Sequence, residues 1–172
     1  MALVQTGRLE LRHAGAEDAP FVLELLNEPS FVANIGDRGV RTVAQARDYV
    51  AERMAASYAA HGYGMYVVEH RGTRRSMGLC GLVRRPFLEA PDIGFAFLPA
   101  YWSQGYAEES ARAVMEWAPT FGLTRVLGVV LPTNEPSVRL LRKLGLEYER
   151  DVVMPESGDT CALYACAVER AS

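Results

Sequence analysis

Residues 95–107 read Phe95-Ala96-Phe97-Leu98-Pro99-Ala100-Tyr101-Trp102-Ser103-Gln104-Gly105-Tyr106-Ala107, an apolar strand-like run that passes through a proline and a glycine into helical spacing. A junction of this kind leaves several backbone N–H groups at the helix start without intrahelical partners. Those donors, with the positive end of the helix dipole, suit a phosphate anion, and Gly105 with Ala107 lets it approach the backbone. A tight strand-to-helix turn uses the same glycine for geometry alone, so the stretch by itself leaves both readings standing.

C-terminal to the turn, residues 105–117 and the following Ala118 return to helical spacing. Ala107, Ser110, Ala111, Val114, Met115 and Ala118 share one face, and Glu108, Glu109, Arg112 and Glu116 share the other. Small inner residues permit close packing on a sheet. Residues 125–131 form a continuous apolar run, the pattern of a central strand covered on both faces, which Pro132 stops. Residues 135–144 read as a short helix with Asn134 at its N-cap, Pro136 in its first turn and Gly145 just past its end. Helix chemistry does not explain a second polar side chain, Ser137, beside Asn134, where both can face a ligand at the strand ends. Strands at 148–154 and 161–168 follow, around a Pro-Glu-Ser-Gly-Asp turn.

N-terminal to the turn, the period is two over 63–70, 76–84 and 92–98, which predicts an antiparallel meander. Ahead of it stand a strand at 9–13 and a helix at 18–26 with Phe21, Val22, Leu25 and Leu26 on its buried face, ended by Pro29. A Gly/Asp/Arg-rich loop covers 34–41. Thr42 and Gln45 then form a capping box opening a second helix that fades near His61 and Gly62. The order predicts an α/β (α+β) fold: one domain over 1–172, with a mixed, mostly antiparallel sheet of about seven strands flanked by about four helices.

The 172 residues, 49% hydrophobic and 23% charged, fit a single core. No apolar run is long enough to cross a bilayer, and residues 1–10 lack the layout of a secretory leader, so no membrane partner and a cytoplasmic location are expected. A net charge of -3 with no long Lys/Arg block argues against a nucleic-acid partner. Cys80, Cys161 and Cys166 lack metal-ligand spacing, and His13, His61 and His70 are scattered, so no metal is expected and the cysteines read as buried apolar residues.

Two segments together carry a resemblance. Trp102-Ser103-Gln104-Gly105-Tyr106-Ala107 is similar to the pyrophosphate loop of GNAT superfamily N-acetyltransferases, Gln/Arg-x-x-Gly-x-Gly/Ala, with Trp at the first position. Asn134-x-x-Ser137 followed by Arg139-Leu140-Leu141-x-Lys143-Leu144-Gly145 is similar to a further stretch of the same proteins. The tryptophan is frequent in the branch related to ribosomal-protein alanine acetyltransferases. Leu9-Glu10-Leu11-Arg12 and Asn34-Ile35-Gly36-Asp37-Arg38 resemble the family too, so the likeness runs along the whole chain.

The resemblance implies a transferase that uses acetyl-CoA as acyl donor and a primary amine as acceptor, on a small molecule or at a peptide or protein N-terminus. It implies that the fourth and fifth predicted strands, 92–98 and 125–131, splay around the pantetheine arm. Phe95, Phe97 and Leu98 would lend main-chain groups to the arm, amides from Ser103 through Ala107 would hold the pyrophosphate, and Asn134 would contact the pantetheine. Homodimers are common among such proteins, though no segment here is decisive as an interface.

Acetyl transfer to an amine needs a neutral attacking amine, oxyanion stabilisation and a proton for the departing thiolate. Many relatives carry a Tyr donor where this sequence has Leu141. Ser137, one turn earlier, is therefore the candidate partner of the CoA sulfur, similar to what is proposed for the ribosomal-acetyltransferase branch. Asp92 is the acid nearest the expected attack point and the candidate base, with Glu28, Asp37 and Asp159 more distant in loops. The loop 34–41 and the turn 155–159 are expected to frame the acceptor, and their Asp37, Glu156 and Asp159 would suit a cationic one. His13 and His70 receive no role. The alternative is a CoA-binding regulatory module without catalysis, suggested by Leu141 and by Trp102 at the loop's first position.

Overall fold

The computed structural model describes residues 2–170. Period-two patterning becomes strands β1 (Val4–Gln5), β2 (Leu9–Arg12), β3 (Met65–His70), β4 (Ser76–Val83), β5 (Asp92–Phe97), β6 (Arg125–Val130), β7 (Glu147–Val153) and β8 (Thr160–Ala167). They form one eight-stranded sheet in the order β1-β2-β3-β4-β5-β6-β8-β7. All neighbours are antiparallel except β5 and β6, which run parallel because a helix connects them. Helices α1 (Ala19–Leu26), α2 (Pro29–Asn34), α3 (Val43–Tyr49) and α4 (Ala56–His61) precede β3; α5 (Tyr106–Trp117) joins β5 to β6, and α6 (Glu135–Lys143) joins β6 to β7.

The sheet separates two cores. Ala111, Val114 and Ala118 at α5 and Leu141 of α6 pack with Leu9, Leu11, Tyr66, Ile93 and Phe97 on one face. On the other, Val22, Leu25 and Leu26 of α1 and Ala46 of α3 meet Val67, Leu79 and Leu98. A smaller cluster of Leu88, Leu127 and Leu163 lies under the connection from β4 to β5. Strand alternation thus turns Ile93, Phe95 and Phe97 toward α5, and Asp92, Gly94 and Ala96 toward the α1 side.

The sheet has one strand more than the sequence reading expects, and the helices are more divided. β1 is two residues long, too short to show an alternation. Pro29 ends α1 but also opens α2, because a proline's missing N–H costs nothing in the first turn of a helix. The second expected helix is α3, a π-helical stretch Val50–Ala55 and α4 in succession. Buried Ala46, Val50 and Met54 recur every fourth residue, a longer repeat than an α-helix provides, and the wider π turn accommodates it. Thr42 caps α3 by accepting the Gln45 N–H at 3.1 Å, while the Gln45 side chain reaches the Arg41 N–H at 2.7 Å. The capping box is therefore displaced by one residue on its return bond.

Candidate active site

β5 is joined to its two neighbours unequally. It pairs with β4 at six positions, from Val83↔Asp92 to Gly78↔Phe97. With β6 it pairs only at Asp92↔Leu127, where the Leu127 N–H donates to the Pro91 carbonyl at 2.9 Å. The strands then part. Beyond the end of β5, the Leu98 N–H donates to Met77 of β4 at 3.0 Å, so by antiparallel alternation the main-chain groups of Phe95 and Phe97 point toward β6. No strand takes them up among the described residues, and a wedge opens toward the C-terminal ends of β5 and β6.

The main-chain groups of Phe95 and the N–H of Phe97 are left without a strand partner, whereas Leu98 is engaged. Its N–H is held by Met77, its carbonyl accepts the Tyr101 N–H at 2.9 Å, and its side chain is buried in the α1-side core. The Phe97 carbonyl in turn accepts the indole N–H of half-exposed Trp102 at 2.8 Å, which ties the following turn to the strand.

That turn stands at the mouth of the wedge. Ser103 and Gly105 both have left-handed backbone, with φ of 59° and 82°, and Gly105 is the N-cap of α5. Among the described residues, nothing accepts from the main-chain N–H of Ser103, Gln104, Gly105, Tyr106 or Ala107. Successive unpartnered amides at a helix start are the arrangement that binds a phosphate.

On the β6 side, α6 starts at the strand's C-terminal end. Asn134 occupies the N-cap position, but its side chain makes no capping bond. Ser137, three residues on, lies on the same helical face. Both are half-buried, and neither side chain has a hydrogen-bond partner among the described residues, so both donors are available. Leu141 is 2% exposed and packs over Gly128, so the helix carries core there rather than a proton donor.

Asp92 sits where β5 and β6 touch. The candidate base is covered: it is 3% exposed and accepts Arg85 Nε at 2.8 Å and Nη2 at 3.5 Å. Burial pushes its carboxyl above the usual carboxylate range, against the pull of the Arg85 charge. The loop 34–41 and the turn 155–159 do lie together, since Arg38 meets Glu156 at 3.7 Å. Their acids are largely matched, however, because Asp37 pairs with Arg41 at 2.6 Å. Two of the three acids expected to suit a cationic acceptor are thus offset by arginines. Among the described residues, Asp159 has no ion-pair partner, and His70 serves its own turn by accepting the N–H groups of Gly72 and Thr73.

The sequence reading misses Arg8. From the turn between β1 and β2 it reaches across 96 positions to donate to the Gln104 carbonyl at 2.9 Å. It also pairs with Glu109 at 2.7 Å and lies over the Tyr106 ring at 4.4 Å. No local pattern marks it, since an arginine before a strand is unremarkable by itself.

β5 thus leaves most of one edge open beside a parallel neighbour, with free amides at the mouth of the wedge and free polar side chains on its far wall. Residues 8–147 match the acetyltransferase (GNAT) domain family, and the chain belongs to that family as an acetyl-CoA-dependent N-acetyltransferase. It is 26% identical to the uncharacterised protein YkkB of Bacillus subtilis over 153 residues, covering 86% of each chain. It is 27% identical to the uncharacterised N-acetyltransferase YoaA of the same organism over 150 residues, covering 86% of this chain and 84% of that one. Its fold is similar to that of RimL, a ribosomal L7/L12 α-N-protein acetyltransferase in complex with coenzyme A, with a TM-score of 0.83 at 20% identity and 98% coverage of both.

Proposed function

We propose that this chain moves the acetyl group of acetyl-CoA to a primary amine, on a small molecule or at a peptide N-terminus, by direct attack inside the wedge between β5 and β6. The observation that carries the reading is the single β5–β6 pairing at Asp92↔Leu127, which leaves the Phe95 main chain and the Phe97 N–H open toward the wedge. The amides of a pantetheine arm complement such an edge as a further strand does. Trp102, Ser103, Gln104, Gly105, Tyr106 and Ala107 form the pyrophosphate turn, and Asn134 faces the arm from α6.

The amine nitrogen attacks the thioester carbonyl carbon; a C–N bond forms and the C–S bond breaks. The Ser137 hydroxyl hydrogen-bonds the sulfur as it departs, and a thiol needs little help because its ordinary pKa is near about 8.5. The surplus amine proton goes to Asp92, whose burial-raised proton affinity suits a base and whose hold on Arg85 must loosen to receive it. RimL acts on a protein N-terminus, and sharing its fold supports a peptide acceptor as one of the two classes.

The test is single-turnover release of free thiol from acetyl-CoA, with a panel of small primary amines and of peptides with free N-termini. Thiol release that depends on the acceptor, with an acetylated product, is expected. Tight CoA binding without any acceptor-dependent thiol would establish the regulatory module instead, the reading that buried Leu141 favours.

A further inference from the structure

Arg8 is fixed before its side chain makes any contact. Its N–H donates to Glu109 Oε1 at 2.9 Å, and its carbonyl accepts the Arg71 N–H at 2.9 Å. The guanidinium then meets three parts of one loop. Nε donates to Glu109 Oε2 at 2.7 Å, Nη1 donates to the Gln104 carbonyl at 2.9 Å, and the plane covers Tyr106 at 4.4 Å. Nη2 stands 3.3 Å from where a Cβ on Gly105 would lie.

We propose that Arg8 is the positioning residue of the pyrophosphate turn, aiming the Gly105 amide at the diphosphate of acetyl-CoA and masking the charge of Glu109; this rests on the CoA reading of that turn. In a trans peptide the C=O and N–H point in opposite directions. Holding the Gln104 carbonyl toward Arg8 therefore turns the N–H of Gly105 away from Arg8, outward from the turn. Glu109 is a second requirement. It lies in the first turn of α5, where an unmatched carboxylate would repel the anion that the helix start attracts. Arg8, with the Thr6 hydroxyl at 2.6 Å, draws that carboxylate aside.

Two acyl donors separate positioning at the diphosphate from a general structural role: acetyl-CoA, and acetyl-pantetheine, which lacks the diphosphate. Steady-state kinetics are measured on the wild-type chain, Arg8→Gln and Arg8→Lys, with melting temperatures alongside. Arg8→Gln is expected to raise KM for acetyl-CoA about tenfold with kcat unchanged, and to leave kcat/KM for acetyl-pantetheine unchanged. Arg8→Lys, which keeps the charge but loses the fork, is expected to recover part of the loss. An unchanged KM for acetyl-CoA in Arg8→Gln overturns the proposal, and so does an equal loss with both donors. A wild-type chain that uses acetyl-pantetheine as well as acetyl-CoA sinks the diphosphate reading of the turn itself, and Arg8's role with it.

Discussion

The two edges of β5 carry the same kind of backbone and meet opposite fates. Toward β4, six registered positions are closed by strand pairing and glycines bring the backbones together. Toward β6, one position is closed and the rest of the edge faces a wedge. The paired edge gives the sheet its continuity, while the open edge leaves main-chain groups free toward β6. In the proposed function the site is made by withholding a strand partner rather than by adding special side chains, and mutations on the two edges should fail differently.

The largest effect is expected on the closed edge. A Cβ on Gly78 would run into the Ala96 carbonyl oxygen, which cannot yield without breaking the pairing of β4 with β5, and into the Phe97 ring. Gly78→Ala should therefore destabilise the fold by about 4 kcal/mol, read as a collapsed denaturant midpoint or loss of soluble protein. A midpoint close to wild type would mean that the closed edge is looser than its register indicates.

On the open side, Gly105→Val should weaken CoA binding on the order of 1,000-fold by calorimetry, equivalent to losing two backbone bonds to a charged ligand. The left-handed φ of 82° that valine resists is a local strain, so the melting temperature should fall only by several degrees. Undiminished CoA affinity in a folded variant would remove the diphosphate from this turn.

At the join between the two edges, Asp92→Asn should lower kcat on the order of 100-fold if the carboxyl takes the amine proton. A base acts only when deprotonated, and burial raises this carboxyl's pKa. The acid limb of kcat/KM should therefore rise with pH through a value above the ordinary carboxylate range and then level off. A variant that keeps kcat but melts earlier would show that Asp92 serves only to hold Arg85. The smallest effect belongs to Ser137→Ala, about fivefold in kcat with KM for acetyl-CoA nearly unchanged, because a thiolate leaves readily and water can replace a hydroxyl. A loss of thousands-fold would give Ser137 a larger part than bonding the sulfur.

Much of this was legible one segment at a time. The strand-turn-helix at residues 95–107 and the Asn134 to Gly145 helix follow from spacing, glycine and proline alone, and the observed elements keep those bounds to within a residue or two. What escaped is what lies between segments. Leu98 reads as part of the open edge until Met77 and Tyr101 engage its backbone. Asp92 reads as the acid nearest the attack point, with no sign that Arg85 covers it, and Asp37 and Glu156 read as acids suited to a cationic acceptor, with no sign that Arg41 and Arg38 match them. Arg8 has no signal at all, because its partners lie far along the chain.

The sequence by itself determined the order of the longer strands and helices and the turn at Gly105, since side-chain period, a fixed proline φ and a left-handed glycine act over a few neighbouring residues. Only the tertiary structure decided that β5 has one closed edge and one open one. Whether a strand's second edge finds a partner depends on where β6 arrives after the whole of α5, and no local preference along the chain encodes that distance.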